Sequence, residues 1–216
     1  MSVERALSVA RDQGADPERI RIGREVDVVP EAPSHVWVIF PSAGGAVVVG
    51  GMDRGAFTAY ARFDDAEVAG RAVAQLLARR PPPPLPRDLA VARRAAAKVA
   101  ADLDAAEGAA GGALVMPVGT PLDHIGSDSG HWLYLLGTPF GQRSLPPTDL
   151  THDRTGYLLE GRPPSGCGVQ RLPAWFGQPG GGWALRLDRP IAYYLDHGLL
   201  RSFEITDDPV DVRAGR

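Results

Sequence analysis

The sequence predicts an α+β fold. A small N-terminal helix–sheet–helix module is followed by a Pro-rich linker, a helix and a mainly-β C-terminal region. Within residues 1–80, short apolar runs typical of strands lie between segments of helical periodicity. A run of consecutive prolines, Pro81–Pro84, then interrupts the chain. From residue 113 onward the apolar runs are short and bounded by Gly, Pro, Asp or Ser, a pattern that favours β-structure.

The composition is that of a globular protein with no general affinity for nucleic acid or membranes. Of 216 residues, 44% are hydrophobic and 23% charged, and the formal net charge is -3. No apolar stretch approaches the roughly 20 residues that span a bilayer, and no signal peptide is evident. The single cysteine, Cys167, excludes an internal disulfide, and the histidines lack metal-ligand spacing. We therefore expect no metal and a cytoplasmic protein, or one secreted by a non-classical route.

Residues 1–80 are predicted to form the first domain. Helical periodicity covers Val3–Gln13, and a second helix begins after the capping pair Asp64-Asp65 and runs through Arg79. Strands are predicted at 36–40, 46–49 and 57–63, with Gly44-Gly45 forming a hairpin-type turn. This module contains no recognisable catalytic constellation, and we interpret it as an adaptor or docking domain.

Residues 81–112 are predicted to connect the two domains. The prolines favour a stiff polyproline II spacer, although a ligand for a proline-recognition domain is an alternative. The following Ala-rich stretch, Arg87–Glu107, is predicted to be a helix with one narrow apolar seam. The seam consists of Leu89, Ala92, Ala96, Val99 and Leu103.

Residues 113–206 are predicted to form the mainly-β domain, followed by a polar tail at 207–216. Strands are predicted at 113–118, 133–136, 156–159, 169–172, 183–187, 191–195 and 199–205. Turns are expected at Asp188-Arg189-Pro190 and at His197-Gly198.

Three motifs in this domain are unusually specific. The first is GTPLDHIGS at 119–127, followed by Gly130-His131-Trp132. The second is GTPFGQRSLPP at 137–147, and the third is AWFGQPGGG at 174–182. In this order and spacing they closely resemble the TNT (tuberculosis necrotizing toxin) family of bacterial NAD glycohydrolase toxins, whose pattern is shared by fungal surface NADases. The resemblance covers roughly Met116 to Phe203.

The resemblance implies an enzyme that hydrolyses the nicotinamide–ribose bond of NAD to nicotinamide and ADP-ribose. NAD would be the substrate, and no cofactor would be needed. Toxins of this family usually travel with an immunity protein that occludes the NAD site, so a cognate immunity protein is an implied partner.

The resemblance also assigns roles to individual residues. Gln178 would act at the scissile bond, and Arg143 would hold the dinucleotide phosphates. Trp132 would lie against the nicotinamide. Phe140 and Gly180, from the second and third motifs, complete the expected substrate-binding set.

His124 departs from the family, which usually has an arginine there that also contacts the phosphates. Histidine is mostly neutral above a pH of about 6.5 and lacks the bidentate fork of arginine. Losing such a contact costs roughly 1.5–3 kcal/mol. Arg143 together with Arg154 or Arg171 could compensate and leave a slower enzyme, or the site could bind NAD poorly.

Each of these residues also has a purely structural interpretation. Trp132 could be a core residue, and Arg143 a surface charge. Gln178, which precedes Pro179 and three glycines, could simply belong to a turn. The glycines would also let the backbone approach a ligand closely. For Asp123 we favour a turn-former over a carboxylate near the ribose.

Two other functions stand beside NAD hydrolysis. A catalytically impaired domain of the same fold could bind NAD or a protein partner without turnover, as His124 suggests. Transfer of ADP-ribose to a protein passes through the same ribose cation, but the sequence shows no glutamate-rich transferase signature.

Overall fold

The computed structural model describes residues 2–23, 35–79, 88–109 and 114–205. The helices are α1 (Ser2–Asp12), α2 (Ala66–Ala78), α3 (Leu89–Gly108) and α4 (Ile191–Asp196). The strands are β1 (Ile20–Ile22), β2 (Val36–Pro41), β3 (Val47–Asp53), β4 (Ala56–Phe63), β5 (Pro121–Ile125), β6 (Trp132–Leu135), β7 (Arg154–Leu159), β8 (Gly168–Arg171), β9 (Trp183–Arg186) and β10 (Leu200–Phe203). This mixture of helices and two sheets confirms the predicted α+β class. The predicted Pro-rich spacer and the polar tail lie outside the described residues.

The chain divides into two compact units. The first consists of Met1–Pro81 together with two short segments, Ser127–His131 and Asp188–Tyr194. The second consists of Pro82–Gly126, Trp132–Leu187 and Leu195–Arg216. Within the stretches that the structure describes, no helix is both long and apolar enough to cross a membrane.

The first unit contains a four-stranded sheet in the order β1-β2-β3-β4, with β1 parallel to β2 and the other pairs antiparallel. Alternate residues of β2 enter different cores: Trp37 and Ile39 pack with α1 and α2, whereas Val38 packs on the other side of the sheet. The two helices can pack closely at Gly70 because glycine has no Cβ; a Cβ there would lie only 2.4 Å from the carbonyl oxygen of Ala6.

Both predicted helices of this unit are confirmed to within a residue or two. Asp65 caps α2, because its carboxylate accepts hydrogen bonds from the backbone N–H groups of Glu67 and Val68. These bonds hold the pKa of the Asp65 carboxyl below its ordinary value. The predicted turn also forms, with Gly44 and Gly45 at φ 72° and 82°.

The second unit contains a six-stranded antiparallel sheet in the order β10-β7-β5-β6-β9-β8. Helix α3 buries the predicted seam through Ala92, Ala96, Val99 and Leu103. Near its end, Asp104 accepts hydrogen bonds from the Trp183 indole at 2.8 Å and from Arg171 at 2.5 Å. Arg171 also binds Glu107, at 2.9 Å. These bonds attach α3 to β8 and β9.

Two strand predictions in this half are wrong. The described part of 113–118 contains no strand, because Pro117 lacks an N–H group and Val115 and Val118 are exposed. Residues 191–195 form helix α4 instead of a strand. Its first N–H groups, on Ile191 and Ala192, are satisfied by the carbonyl oxygens of Gly130 and Asp128.

Candidate functional site

Strand β5 lies in the interior of the six-stranded sheet and carries two buried polar side chains. Asp123 is 0% exposed and His124 is 1% exposed. The ladder from β5 to β7 is regular, with Asp123 opposite Gly156 and His124 opposite Thr155. Because successive side chains of a strand point to opposite faces, Asp123 and His124 lie on different faces of the sheet.

Asp123 is the centre of a buried ion cluster with two arginines. Arg143 donates from both terminal nitrogens to the two carboxylate oxygens, and its Nη2–Oδ2 distance is 2.9 Å. Arg154 donates to Oδ2 from Nη2 and, at 2.9 Å, from Nε. Arg143 is further fixed by a bond of 2.8 Å from its Nε to the carbonyl oxygen of Thr138. Its guanidinium carbon lies 4.9 Å from the centre of the Tyr134 ring.

Two guanidinium groups share one carboxylate here, so the three residues of the cluster together carry a formal charge of +1. Burial lowers the pKa of Arg154, and the neighbouring Asp123 charge opposes that shift while the Arg143 charge adds to it. A buried positive surplus favours the approach of an anion. The interpretation of Arg143 as a surface charge is wrong, because the residue is 0% exposed. Its phosphate contact stays a prediction.

The prediction that Asp123 forms a turn is wrong. The residue instead lies inside β5 and binds two arginines. The residues around Asp123 carry no local signal of this role, since its arginine partners lie 20 and 31 positions away. An acidic residue within a buried strand requires a cationic partner.

His124 is not part of the ion cluster. Its Nδ1 lies 2.8 Å from the carbonyl oxygen of Trp132. Because a carbonyl oxygen can only accept, Nδ1 carries the hydrogen and binds the backbone of β6. The structure thus places His124 and Arg143 on separate faces of the sheet, and a shared phosphate contact stays a prediction.

Trp132 and Phe140 lie in the core, as the structural interpretation of Trp132 proposed. They are 9% and 3% exposed. Both belong to one buried cluster, which consists of Ile125, Trp132, Tyr134, Phe140, Leu145, Leu172 and Ala184. Their contacts with nicotinamide or another part of the substrate stay predictions.

Gln178 ends a tight turn that begins at Trp175. The two residues exchange backbone hydrogen bonds, of 3.1 Å from the Trp175 N–H and 2.8 Å from the Gln178 N–H. Between them, Phe176 and Gly177 have φ of 49° and 73°, the left-handed pair found in type I′ turns. Gln178 is partly exposed. The turn therefore fixes its backbone and leaves its amide within reach of solvent.

The structure joins the third motif to the second. The N–H of Gly180 donates to the carbonyl oxygen of Gly141 at 3.1 Å, and that of Gly182 donates to Gln142 at 3.1 Å. The hydroxyl of Ser144 donates to the carbonyl oxygen of Pro173. The segment that carries Gln178 is thus bonded to the residues on either side of Arg143.

Gly180 has a structural function that a side chain would abolish. Its φ is 68°, and a Cβ there would lie 2.4 Å from the carbonyl oxygen of Pro173. The neighbouring Gly181 also has a positive φ, 94°, but a Cβ there would meet nothing within 4 Å. Close backbone packing thus explains Gly180, and its contact with substrate stays a prediction.

We expect Gly180→Ala to lower the free energy of unfolding by roughly 3 kcal/mol or more, because a clash with backbone adds to the left-handed penalty. Gly181→Ala should lose only the conformational part, about 1–2 kcal/mol. Urea unfolding followed by tryptophan fluorescence measures both. Equal losses in the two variants would contradict this account of the Gly180 site.

Of the two arginines considered as substitutes for an arginine at 124, only Arg154 lies beside Arg143. Arg171 binds Asp104 and Glu107 of α3, and its guanidinium carbon lies 4.5 Å from the centre of the Trp183 ring. Arg154 shares Asp123 with Arg143. The structure therefore favours Arg154 as the second cation of the site.

The second unit is thus an antiparallel sheet with a buried arginine–aspartate cluster and a Gly-rich loop that presents a glutamine. Residues 115–203 match the sequence model of the family described as Tuberculosis necrotizing toxin. This stretch of the chain is a TNT domain, as the three motifs predicted.

Known proteins that are similar to this region include a fungal enzyme and a bacterial toxin. The conidial surface nicotinamide adenine dinucleotide glycohydrolase of Aspergillus fumigatus is 31% identical over 98 residues, which are 43% of this chain and 42% of the fungal protein. This chain therefore matches less than half the length of that relative. A solved structure of tuberculosis necrotizing toxin complexed with its immunity factor is 30% identical, with a TM-score of 0.35, and the match covers 39% of this chain and 48% of the toxin chain.

Proposed function

We propose that the TNT domain hydrolyses the nicotinamide–ribose bond of NAD and releases nicotinamide and ADP-ribose. The family match and the activity in the name of the fungal relative support this function. The structural observation that carries the proposal is the bonding of the Gln178 segment to the residues beside Arg143. A partly exposed amide thereby occupies a fixed position in the same substructure as a buried cluster with surplus positive charge.

The chemistry of the reaction suits these groups. The nicotinamide leaves as a neutral molecule, because the bond that breaks joins ribose to a cationic pyridinium nitrogen. No general acid is therefore required, and the site has to orient the ribose and a water molecule. The amide of Gln178 both donates and accepts hydrogen bonds, so it can orient a ribose hydroxyl or the attacking water. Water is the only co-reactant of the proposed reaction.

The pyrophosphate of NAD is assigned to the positive side of the site. Arg143 and Arg154 supply the charge, and Asp123 holds both guanidinium groups in place. Because both guanidinium groups already donate to Asp123, they would attract the pyrophosphate by their charge and not by a bidentate hydrogen bond.

We further propose that His124 makes this chain a slower enzyme than one with arginine at that position. The Nδ1 of His124 is bound to the Trp132 carbonyl oxygen, and the ring is buried. An imidazole held this way provides less positive charge to a dinucleotide than a guanidinium would.

The direct test is NAD consumption by the purified chain, with release of nicotinamide measured by chromatography. We expect turnover in the wild type, and faster turnover in a His124→Arg protein that keeps the wild-type unfolding midpoint, a condition that is needed because residue 124 is buried. Binding of NAD without any turnover in either protein would contradict the proposed activity and support a non-catalytic NAD-binding domain. Labelling of lysate proteins by labelled NAD would instead indicate ADP-ribose transfer.

A protein partner that occludes the NAD site stays a prediction from the resemblance. So do the adaptor function of the N-terminal module and the bacterial origin of the chain. Co-purification of the full chain with the product of a neighbouring reading frame would test the partner.

A further inference from the structure

Two large aromatic side chains stand exposed at the tip of the turn that carries Gln178. Trp175 and Phe176 are each 45% exposed. Their rings are stacked, with centroids 4.3 Å apart and planes inclined by 25°. The other three tryptophans of the chain, Trp37, Trp132 and Trp183, are buried. The pair therefore presents aromatic area to solvent that the hydrophobic effect alone would bury.

The turn places Trp175 beside Gln178. The two residues are directly opposite each other in an antiparallel bridge and exchange both backbone hydrogen bonds. Directly opposed residues project their side chains to the same side, with Cβ atoms about 5.5 Å apart. An indole thus lies next to the amide that we place at the scissile bond.

The pair also carries a conformational penalty. Phe176 has a φ of 49°, and this left-handed conformation is unfavourable for a bulky residue. Glycine or asparagine would occupy the position at lower cost. Residues that are both exposed and conformationally unfavourable contribute little to the fold, and such positions are typical of ligand sites.

We propose that Trp175, supported by Phe176, is the surface on which the nicotinamide ring of oxidised NAD stacks, and that it selects the oxidised over the reduced dinucleotide. This inference rests on the proposed function, since it takes Gln178 to be at the scissile bond. The pyridinium ring of NAD is cationic, and indole is the aromatic side chain that attracts cations most strongly. The dihydronicotinamide ring of NADH is neutral, so it can stack on the indole but lacks the attraction of a cation to the ring.

Trp132, in contrast, has little area to provide. It is 9% exposed and packs within the core cluster around Tyr134 and Leu145. The accessible indole of the loop is therefore better placed to receive a ring that enters from solvent and leaves as free nicotinamide.

The effect of Trp175 should fall on substrate binding. The ring loses its positive charge as the bond to ribose breaks, so the attraction to indole is strongest before the reaction. We expect Trp175→Leu to raise KM for NAD roughly 5- to 30-fold, with a much smaller change in kcat. We expect the preference for NAD over NADH in binding to fall by a similar factor.

Binding measured by rapid mixing, before NAD is hydrolysed, tests this directly. Tryptophan fluorescence is titrated with NAD, NADH, nicotinamide and ADP-ribose for the wild type, Trp175→Phe and Trp175→Leu. Val118→Ala is the matched control, because Val118 is a 59% exposed apolar residue of the same unit. We expect NAD and nicotinamide to quench the wild type and the control, and this quenching to be lost in Trp175→Phe. ADP-ribose, which lacks the ring, should bind all four proteins equally when its binding is measured by calorimetry.

The outcomes separate this inference from the proposed function. Quenching by nicotinamide that depends on Trp175, without NAD hydrolysis, would sustain the stacking surface and refute the activity. Hydrolysis with an unchanged KM and unchanged discrimination against NADH in Trp175→Leu would support the activity and refute the stacking surface. A loss of ADP-ribose affinity as large as the loss of NAD affinity would overturn the inference, because another part of the substrate would then contact the indole. So would the absence of any quenching by NAD in the wild type.

Discussion

Replacing Gln178 with alanine is expected to lower kcat for NAD hydrolysis by roughly 100- to 1,000-fold, the loss typical of a single positioned hydrogen-bonding group at a reacting centre. The side chain is partly exposed, and the turn is held by the backbone of Gln178 and Trp175. Truncation therefore removes the amide without opening a cavity. The loss should appear in kcat because the amide acts on the ribose and water as the bond breaks.

Gln170→Ala is the matched control for this variant. Gln170 is an exposed glutamine on β8 in the same unit, so its truncation removes the same group from a surface strand. We expect its kcat and unfolding midpoint to match the wild type. If kcat of Gln178→Ala remained within threefold of the wild-type value, Gln178 would not act at the scissile bond. The function assigned to the third motif would then be wrong as well.

Helices α2 and α3 follow from local signals. Asp65 and Asp88 cap α2 and α3 with bonds to backbone N–H groups two and three residues later. Such a pattern is readable from the sequence because the cap and its partners are neighbours in the chain. The buried seam of α3 follows in the same way from apolar residues spaced by three and four.

Strand β5 could not be predicted in this way. Its central residues, Asp123 and His124, are polar, so the segment lacks the apolar run or alternation that indicates a buried strand. All five of its residues are nevertheless buried. The polar residues are tolerated because Arg143 and Arg154, which lie 20 and 31 positions away, neutralise Asp123. Such long-range pairing is invisible to local patterns.

The same limit applies to the site. The motifs and their spacing were enough for the family, and the roles that they assign to Gln178 and Arg143 stay predictions. The sequence did not reveal that Asp123 and His124 lie on opposite faces, because that follows from the register of β5 against β7. It also did not reveal the exposure of Trp175, since a tryptophan within an apolar motif is more often buried.

Helix α4 shows how context overrides a local pattern. The run Ile191–Leu195 is apolar and short, and such a run fits either a strand or a helix. Carbonyl oxygens of the 127–131 segment accept hydrogen bonds from its first N–H groups, which an isolated helix of six residues would leave to water. The carbonyl oxygens that accept these bonds from Ile191 and Ala192 lie about 60 residues earlier in the chain.

The ion cluster predicts the largest effect on stability. We expect Asp123→Asn to lower the free energy of unfolding by about 3–5 kcal/mol, since breaking a buried ion pair from one side leaves uncompensated charge. Here two guanidinium groups lose the carboxylate that they share, and Arg143 is fully buried. A loss of that size is a large fraction of the 5–15 kcal/mol by which domains are commonly stable. Urea unfolding of the full chain measures it.

Glu160→Gln provides the comparison at the surface. Glu160 lies 3.1 Å from Arg201, and the two side chains are 29% and 53% exposed, so its loss should cost no more than about 1 kcal/mol. Arg154→Met added to Asp123→Asn should recover part of the lost stability, because it removes one of the two uncompensated charges. Equal small losses in Asp123→Asn and Glu160→Gln would show that water or another group already neutralises the arginines. The cluster would then lack the surplus positive charge to which we assign the NAD pyrophosphate.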